Sequence, residues 1–272
     1  MLHWDHPQVR ELIRLAVAED VGAGDVTTEA CVPRDSQSMG YFLPKQDLTL
    51  AGTELLGIIF REEKIEVLES DGTHLPTGKV FARVSGSTRR LLTLERTALN
   101  FLQRTCGVAT LTSRFVKAIE GTGCTLLDTR KTSPGMRVLN KLSVRAGGGT
   151  NHRLGLFDAV LIKNNHIDAA GGITQAVENC RHTDRTIEVE VRDFGELEEA
   201  LSCGIHHILL DNFSPQEVAE AAERVAGRAK LEVSGNVLLE TVRDYAEAGV
   251  DYISVGALTH SAPAAAISFR VG

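Results

Sequence analysis

The chain has no apolar run approaching the roughly 18 residues that cross a bilayer. Its opening, MLHWDHPQVRELIRLAVAED, holds no apolar core of signal-peptide length behind a basic start. A cytoplasmic protein is the expectation from these absences. There is no C-x-x-C pair, and the five cysteines (Cys31, Cys106, Cys124, Cys180 and Cys203) form an odd set without regular spacing. This argues against a disulfide framework and a zinc site, and leaves the cysteines as small core residues. Gly147-Gly148-Gly149 lacks the Gly-Lys-Ser/Thr ending of a P-loop and follows no strand, so a mobile loop is expected there. An excess of positive charge is missing too: the net charge is -7, which argues against general nucleic-acid binding.

What is present is 272 residues of ordinary globular composition, 43% hydrophobic and 24% charged, enough for a large core and about two domains. From about residue 124 short apolar strands alternate with amphipathic helical patterns. The strands read TLLDT (125–129), AVLIK (159–163), TIEVEV (186–191), HILLD (207–211), KLEVS (230–234) and YISVG (252–256). Between them, GITQAVENC, FGELEEALSC, SPQEVAEAAERVAG and LLETVRDYAEAG carry apolar residues three and four apart with Gly or Pro punctuation. Repeated βα units build a parallel sheet. In the strand 186–191, Glu188 and Glu190 fall on the face opposite the apolar residues, because side chains alternate along a strand. A doubly wound sheet would bury both carboxylates under helices, whereas a barrel can turn them into a polar mouth. The fold expected is therefore α/β: an incomplete six-to-seven-stranded βα barrel preceded by an α+β N-terminal domain.

That first domain is expected over 1–110, with a helix from Pro7 to Glu19 and strand-like pieces SMGYFLP, LTLAG, KIEVLES and KVFARVSGS. A helical stretch from Leu91 to Ile119, interrupted near Gly107, leads into the barrel at 111–264. The terminal segment 265–272, containing ISFRV, is expected to rejoin the first domain.

Against the acidic balance, Asp128 to His166 carries seven Lys or Arg and two Asp. A solvated basic patch would account for such a run, but its cations fall where strands end. Thr129-Arg130-Lys131 follow the first barrel strand and Lys163 ends the second. Glu190 lies near the end of the third, Asp211 ends the fourth, and Ser234-Gly235 and Gly256 close the last two. That face of a βα barrel is where active sites are built. The cations suit a polyanion, with arginine favoured for bidentate carboxylate binding. The late glycine and hydroxyl residues suit a phosphate, and Glu190 with Asp211 suits sugar hydroxyls or a Mg²⁺ carried by a polyphosphate.

The ordered set DTRKTSPGMR, RAGGGTNHRLGLFDAVLIKNNHI, EVEV, LLDNF, EVSGN and ISVGALTH, with EDVGAGDVTTE and LTLERTALNFLQRTCGVAT upstream, resembles the quinolinate phosphoribosyltransferase family over nearly the whole chain. The resemblance implies a pentosyl-class glycosyltransferase of NAD biosynthesis. It would join quinolinate to phosphoribosyl pyrophosphate and release pyrophosphate and CO₂ to give nicotinate mononucleotide. It implies Arg96, Arg130, Arg153 and Lys163 around the pyridine dicarboxylate, with His152 beside them, Thr129 in the same pocket and Lys131 between the two substrates. Glu190 and Asp211 would hold the ribose and the Mg²⁺-pyrophosphate. Ser234, Gly235, Asn236, Val255, Gly256 and Ala257 would receive the 5′-phosphate, with His260 nearby. The family forms dimers in which the counterpart of Arg96 reaches the partner's site, so a homodimer or a multiple of one is implied. The chain departs from the family pattern at Asn164, Asn236 and Ser133.

Three other readings compete: a Schiff-base aldolase using Lys163, the molybdate-associated paralogue of the same family, and a phosphosugar-binding protein without turnover. For His206-His207, which abut a strand, no metal role is expected. Glu188 is expected to pack against a barrel lysine.

Overall fold

A computed structural model describes residues 2–272. In chain order, α1 (Pro7–Val21) and α2 (Val26–Cys31) precede β1 (Gln37–Pro44), β2 (Leu48–Thr49), α3 (Leu55–Ile59), β3 (Lys64–Val67), β4 (His74–Leu75) and β5 (Ala82–Ser87). Then come α4 (Thr88–Ala118), β6 (Thr125–Leu127), α5 (Arg137–Ala146), β7 (Val160–Ile162), α6 (Asn164–Ala170), α7 (Ile173–Cys180), β8 (Ile187–Val191) and α8 (Phe194–Ser202). The chain ends with β9 (His207–Asp211), α9 (Pro215–Val225), β10 (Lys230–Ser234), α10 (Val242–Glu247), β11 (Tyr252–Ser254), α11 (Ala257–His260) and β12 (Ile267–Val271).

Contacts divide the chain into two compact units. One takes the chain up to Ser113 with Lys131–Gly148 and Ala257–Gly272; the other takes Arg114–Arg130 and Gly149–Gly256. The first unit is built on an antiparallel sheet of order β12-β1-β5-β3, in which Phe42 of β1 faces Phe269 of β12 in register. Phe42, Phe60 and Phe81 are fully buried in its core with Leu48, Leu55, Leu91 and Leu102.

α4 runs unbroken through Gly107, against the interruption expected from sequence. Glycine is there for proximity, not flexibility: a Cβ at Gly107 would run into the Pro263 carbonyl. The glycine run Gly147-Gly148-Gly149 lies in the turn after α5. Gly147 closes α5, and a Cβ on it would stand 2.5 Å from Ala109 O and 2.6 Å from Thr112 Cβ, so this glycine permits a close approach.

The second unit carries the parallel sheet, in the order β6-β11-β10-β9-β8-β7. From β7 to β11 each strand lies beside its successor, with no reversal of direction along the sheet. Right-handed crossovers then carry every connecting helix to one face and leave the other as an interior. Among the described residues β6 and β7 share no ladder, so the ring stays open at one seam, where a single parallel bridge joins Leu127 to Thr150. The sheet is the incomplete barrel expected, with six strands.

Register separates the faces. Val189, Val191, Ile208, Leu210, Leu231, Val233 and Ile253 are apolar and at most 2% exposed. The alternate set pairs Leu161 with Glu188, Glu190 with Leu209, Leu209 with Glu232, and Asp211 with Ser234. The helices start where side chains can cap them: Ser214 forms a reciprocal capping box with Glu217 before Pro215 opens α9, and Asp193 accepts from Glu196 N at the start of α8.

Five unpaired cysteines are present, but only Cys106 is buried. Cys124, Cys180 and Cys203 are half-buried and Cys31 is exposed, so the core assignment holds for one of them. Burial pushes the Cys106 and Cys124 thiols up to about 12, which keeps both unreactive.

Candidate active site

Asp128, just beyond β6, is completely buried and fastens the segment that carries Arg153. Its Oδ1 accepts the His152 backbone N–H at 2.9 Å and its Oδ2 accepts Asn151 Nδ2 at 2.7 Å. Two more bonds close the following loop: Leu154 N–H donates to Asp158 Oδ2 at 2.8 Å and Arg153 Nη1 donates to Ala159 O at 2.9 Å. Arg153 Nε is buried without a hydrogen-bond partner. Burial first, and then repulsion from Arg130, draw the Arg153 guanidinium below its ordinary value, while Glu188 and Asp158 pull the other way. Two guanidiniums close enough to repel one another form a site that gains from an entering anion.

At the ends of β7 and β8, Lys163 forms an ion pair with the buried Glu190. His166 Nδ1 accepts the Lys163 backbone N–H at 2.9 Å, which fixes the entry to α6. On β9 and β10, Ser234 Oγ donates to Asp211 Oδ1 at 3.5 Å, the one side-chain hydrogen bond to that carboxylate among the described residues.

The turn after β10 is shaped by Asn212. Gly235 stands at φ +96°, and a Cβ there would collide with Asn212 Oδ1, so the position requires glycine. Asn236 follows at φ +52°, a left-handed conformation that asparagine tolerates better than most residues, and its Nδ2 donates to Asn212 Oδ1 at 3.2 Å. Asparagine thus meets the backbone need at this position, with its side chain turned onto Asn212. Val255 is buried and gives its N–H to Leu127 O at 3.0 Å, so its amide serves the β11–β6 ladder. The Val255 amide is thereby committed to the sheet.

The second unit thus gathers Thr129, Arg130, His152, Arg153, Lys163, Glu190, Asp211, Ser234, Gly235, Asn236, Val255 and Gly256 at or beside the carboxyl ends of its strands. Arg96, Lys131, Ala257 and His260 belong to the first unit. There Thr259 Oγ1 donates to Lys131 O at 2.8 Å, and Arg104 holds the carbonyls of Thr259 and Ala262. Arg96 is exposed on α4, without a hydrogen bond or ion pair to the described residues. His260 is exposed beside Ser261.

Below the strand ends lies a buried polar cluster that the sequence reading missed. Glu188 meets an imidazole, not the lysine expected: its Oε2 is 3.1 Å from His152 Nε2. Glu232, fully buried on β10, sets Oε2 at 3.1 Å from His207 Nε2 and 3.6 Å from His152 Nε2, and its Oε1 accepts from Ser254. Burial alone would depress His207, but the hydrogen bond to Glu232 and the fields of Glu188, Glu232 and Asp251 outweigh it and raise its pKa. In KLEVS, Glu232 occupies the same alternate face as Glu188 and Glu190.

An open, singly wound parallel barrel with cations, carboxylates and a glycine turn at its carboxyl ends is the frame of a barrel-class phosphoribosyltransferase. Family models described as "Quinolinate phosphoribosyl transferase, N-terminal domain" and "C-terminal domain" match residues 25–106 and 108–270. The chain belongs to the quinolinate phosphoribosyltransferase family. It is 41% identical to the chloroplastic nicotinate-nucleotide pyrophosphorylase (carboxylating) of Arabidopsis thaliana, over 98% of this chain and 84% of that protein. Identity to the probable nicotinate-nucleotide pyrophosphorylase of Bacillus subtilis (strain 168) is 36%, covering 98% and 94%. The structure of the Francisella tularensis nicotinate-nucleotide pyrophosphorylase superimposes with a TM-score of 0.94 at 38% identity, over 98% of each chain.

Proposed function

We propose that the chain transfers the phosphoribosyl group of phosphoribosyl pyrophosphate to quinolinate with decarboxylation, giving nicotinate mononucleotide, pyrophosphate and CO₂. The observation that carries this reading is the partly buried Arg153, held beside Arg130 with its Nε unsatisfied, while the Lys163–Glu190 pair stands at the ends of β7 and β8. A planar dicarboxylate offers a guanidinium two parallel acceptors.

In the reaction the pyridine nitrogen forms a bond to the ribose carbon as the bond to pyrophosphate breaks. Arg130, Arg153 and Lys163 hold the two carboxylates and so aim that nitrogen, an orientation worth several kcal/mol. Lys163 exchanges Glu190 for the substrate as it does so, which frees Glu190 to face the positive charge growing on the ribose. Lys131 meets the departing pyrophosphate. When the adjacent carboxylate departs as CO₂ its electron pair stays on the ring carbon, stabilised by the neighbouring cationic nitrogen, and a proton then takes the place of the carboxylate on that carbon. Ser234 and the backbone of Gly235, Asn236, Gly256 and Ala257 hold the 5′-phosphate, with His260 at the margin, and Thr129 stands beside Arg130 in the dicarboxylate pocket.

Mg²⁺ fits the donors present: Asp211 and Glu190 are hard oxygen ligands on neighbouring strands, and Asp211 has one long side-chain hydrogen bond to give up. When bound it neutralises the leaving pyrophosphate. The exposed Arg96 supports a homodimer, or a multiple of one, in which this guanidinium serves a partner's site. Among the described residues no helix is long and apolar enough to cross a membrane, and the cytoplasm is the proposed location.

The deciding experiment incubates purified protein with quinolinate, phosphoribosyl pyrophosphate and Mg²⁺ and follows nicotinate mononucleotide and CO₂. Both products are expected, with loss of turnover in EDTA. Product from nicotinate but not from quinolinate contradicts the assignment.

A further inference from the structure

The cluster beneath the strand ends holds two buried glutamates and two histidines that the reaction above does not use. His152 is its link to the site. Its Nδ1 accepts the Arg153 backbone N–H at 2.7 Å, which leaves the ring proton on Nε2. Nε2 points at Glu188 Oε2, 3.1 Å away, and towards Glu232 Oε2 at 3.6 Å. In this arrangement both ring nitrogens face protein groups, and the imidazole spans the distance between a buried carboxylate pair and the main chain of a substrate-binding arginine.

Glu232 is the fixed end of that span. Ser254 on β11 grips one of its oxygens, while His207 on β9 and His152 share the other. Its own strand lies between theirs, with Glu232 in register with Leu209 and Tyr252. A carboxylate anchored from both neighbouring strands and completely buried has little freedom to move.

We propose that Glu232, together with Glu188, is a positioning residue for the dicarboxylate pocket: the two carboxylates face His152 Nε2 and set the ring orientation and tautomer that hold the Arg153 backbone, and thereby the Arg153 guanidinium. The proposal rests on the quinolinate reading of the site and deepens it. It assigns His152 to the support of Arg153.

The test is a double-mutant cycle on quinolinate KM. Glu232→Gln keeps shape but turns a donor towards groups that already donate. It is expected to raise quinolinate KM roughly tenfold, as a displaced positioning group does, and to leave the KM for phosphoribosyl pyrophosphate within about twofold, since Arg153 does not serve that substrate. In a His152→Asn background, where the amide oxygen takes over the acceptor role of Nδ1, Glu232→Gln should have little further effect. Additive losses, or equal rises in both KM values, would overturn the proposal. Should Glu232→Gln not fold, His152→Asn and His152→Gln carry the test: only Asn retains the acceptor for Arg153 N–H, so it should keep the lower quinolinate KM, and equal losses refute the idea. A readout independent of turnover is the ¹⁵N shift pattern of His152, expected to show an Nε2–H tautomer in the wild-type protein; an Nδ1–H tautomer refutes the span. A wild-type protein that turns over no quinolinate defeats the functional reading, whereas an active wild type with additive mutants defeats this inference alone.

Discussion

Gly235 is the residue at which backbone geometry and the proposed phosphate site meet. Its φ of +96° disfavours any side chain, and Asn212 Oδ1 occupies the volume a Cβ would need. Gly235→Ala should therefore cost about 1–3 kcal/mol in stability, measured by urea unfolding, and raise the KM for phosphoribosyl pyrophosphate more than that for quinolinate. His207 gives a pH-dependent expectation. Its pKa is raised by Glu232 against burial, with Glu188, Asp251 and the Tyr252 ring also at hand. Stability from its protonated form is complete below the unfolded value of 6.5 and is lost as pH rises through the higher folded value. Wild-type Tm should fall across that window relative to His207→Gln; parallel profiles for the two would contradict it. Arg130, Lys163, Glu190 and Asp211 were legible as candidates because strand ends can be counted in the sequence. The His152–Glu188 contact was not, since it joins residues from a loop and a strand whose meeting depends on how far the barrel curls.

Among the elements, α4 and α9 show how far local signals reach. Ser214, Pro215 and Glu217 spell a helix start in sequence, and the capping box is present. Ser214→Ala should destabilise by about 1 kcal/mol, read by chemical denaturation, with both KM values unchanged. Gly107 reads locally as a break because glycine in a helix interior costs close to 1 kcal/mol against alanine. The helix continues because the space at that position belongs to the Pro263 carbonyl, which no local pattern reveals. Gly107→Ala should consequently destabilise the protein, although alanine is the better helix former; a stabilised variant would remove the packing argument. The strands were recoverable because Glu188 and Glu190 alternate with valines. Glu232 escaped notice because a single glutamate in a five-residue strand sets no visible period.

At the scale of the whole molecule, the proposed dimer makes a distinct prediction. Arg96→Ala and Lys131→Ala variants, each expected to be inactive, should regain part of their activity when mixed and allowed to exchange subunits. Mixtures that stay inactive, with exchange shown independently by labelled chains, would contradict the sharing of sites. The order of the parallel sheet bears on synthesis as well. β6 is the first barrel strand to leave the ribosome, yet its ladder partner is β11, and Leu127 lies in register with Ser254. Until more than a hundred further residues have been made, Thr125–Leu127 has only the bridge to Thr150 beside it, and the edge that β11 will cover stays open in the nascent chain. Chains ending before Tyr252 would retain the four consecutive strands β7 to β10 but strand β6, so truncation from the carboxyl end should yield aggregation before it yields a smaller folded barrel.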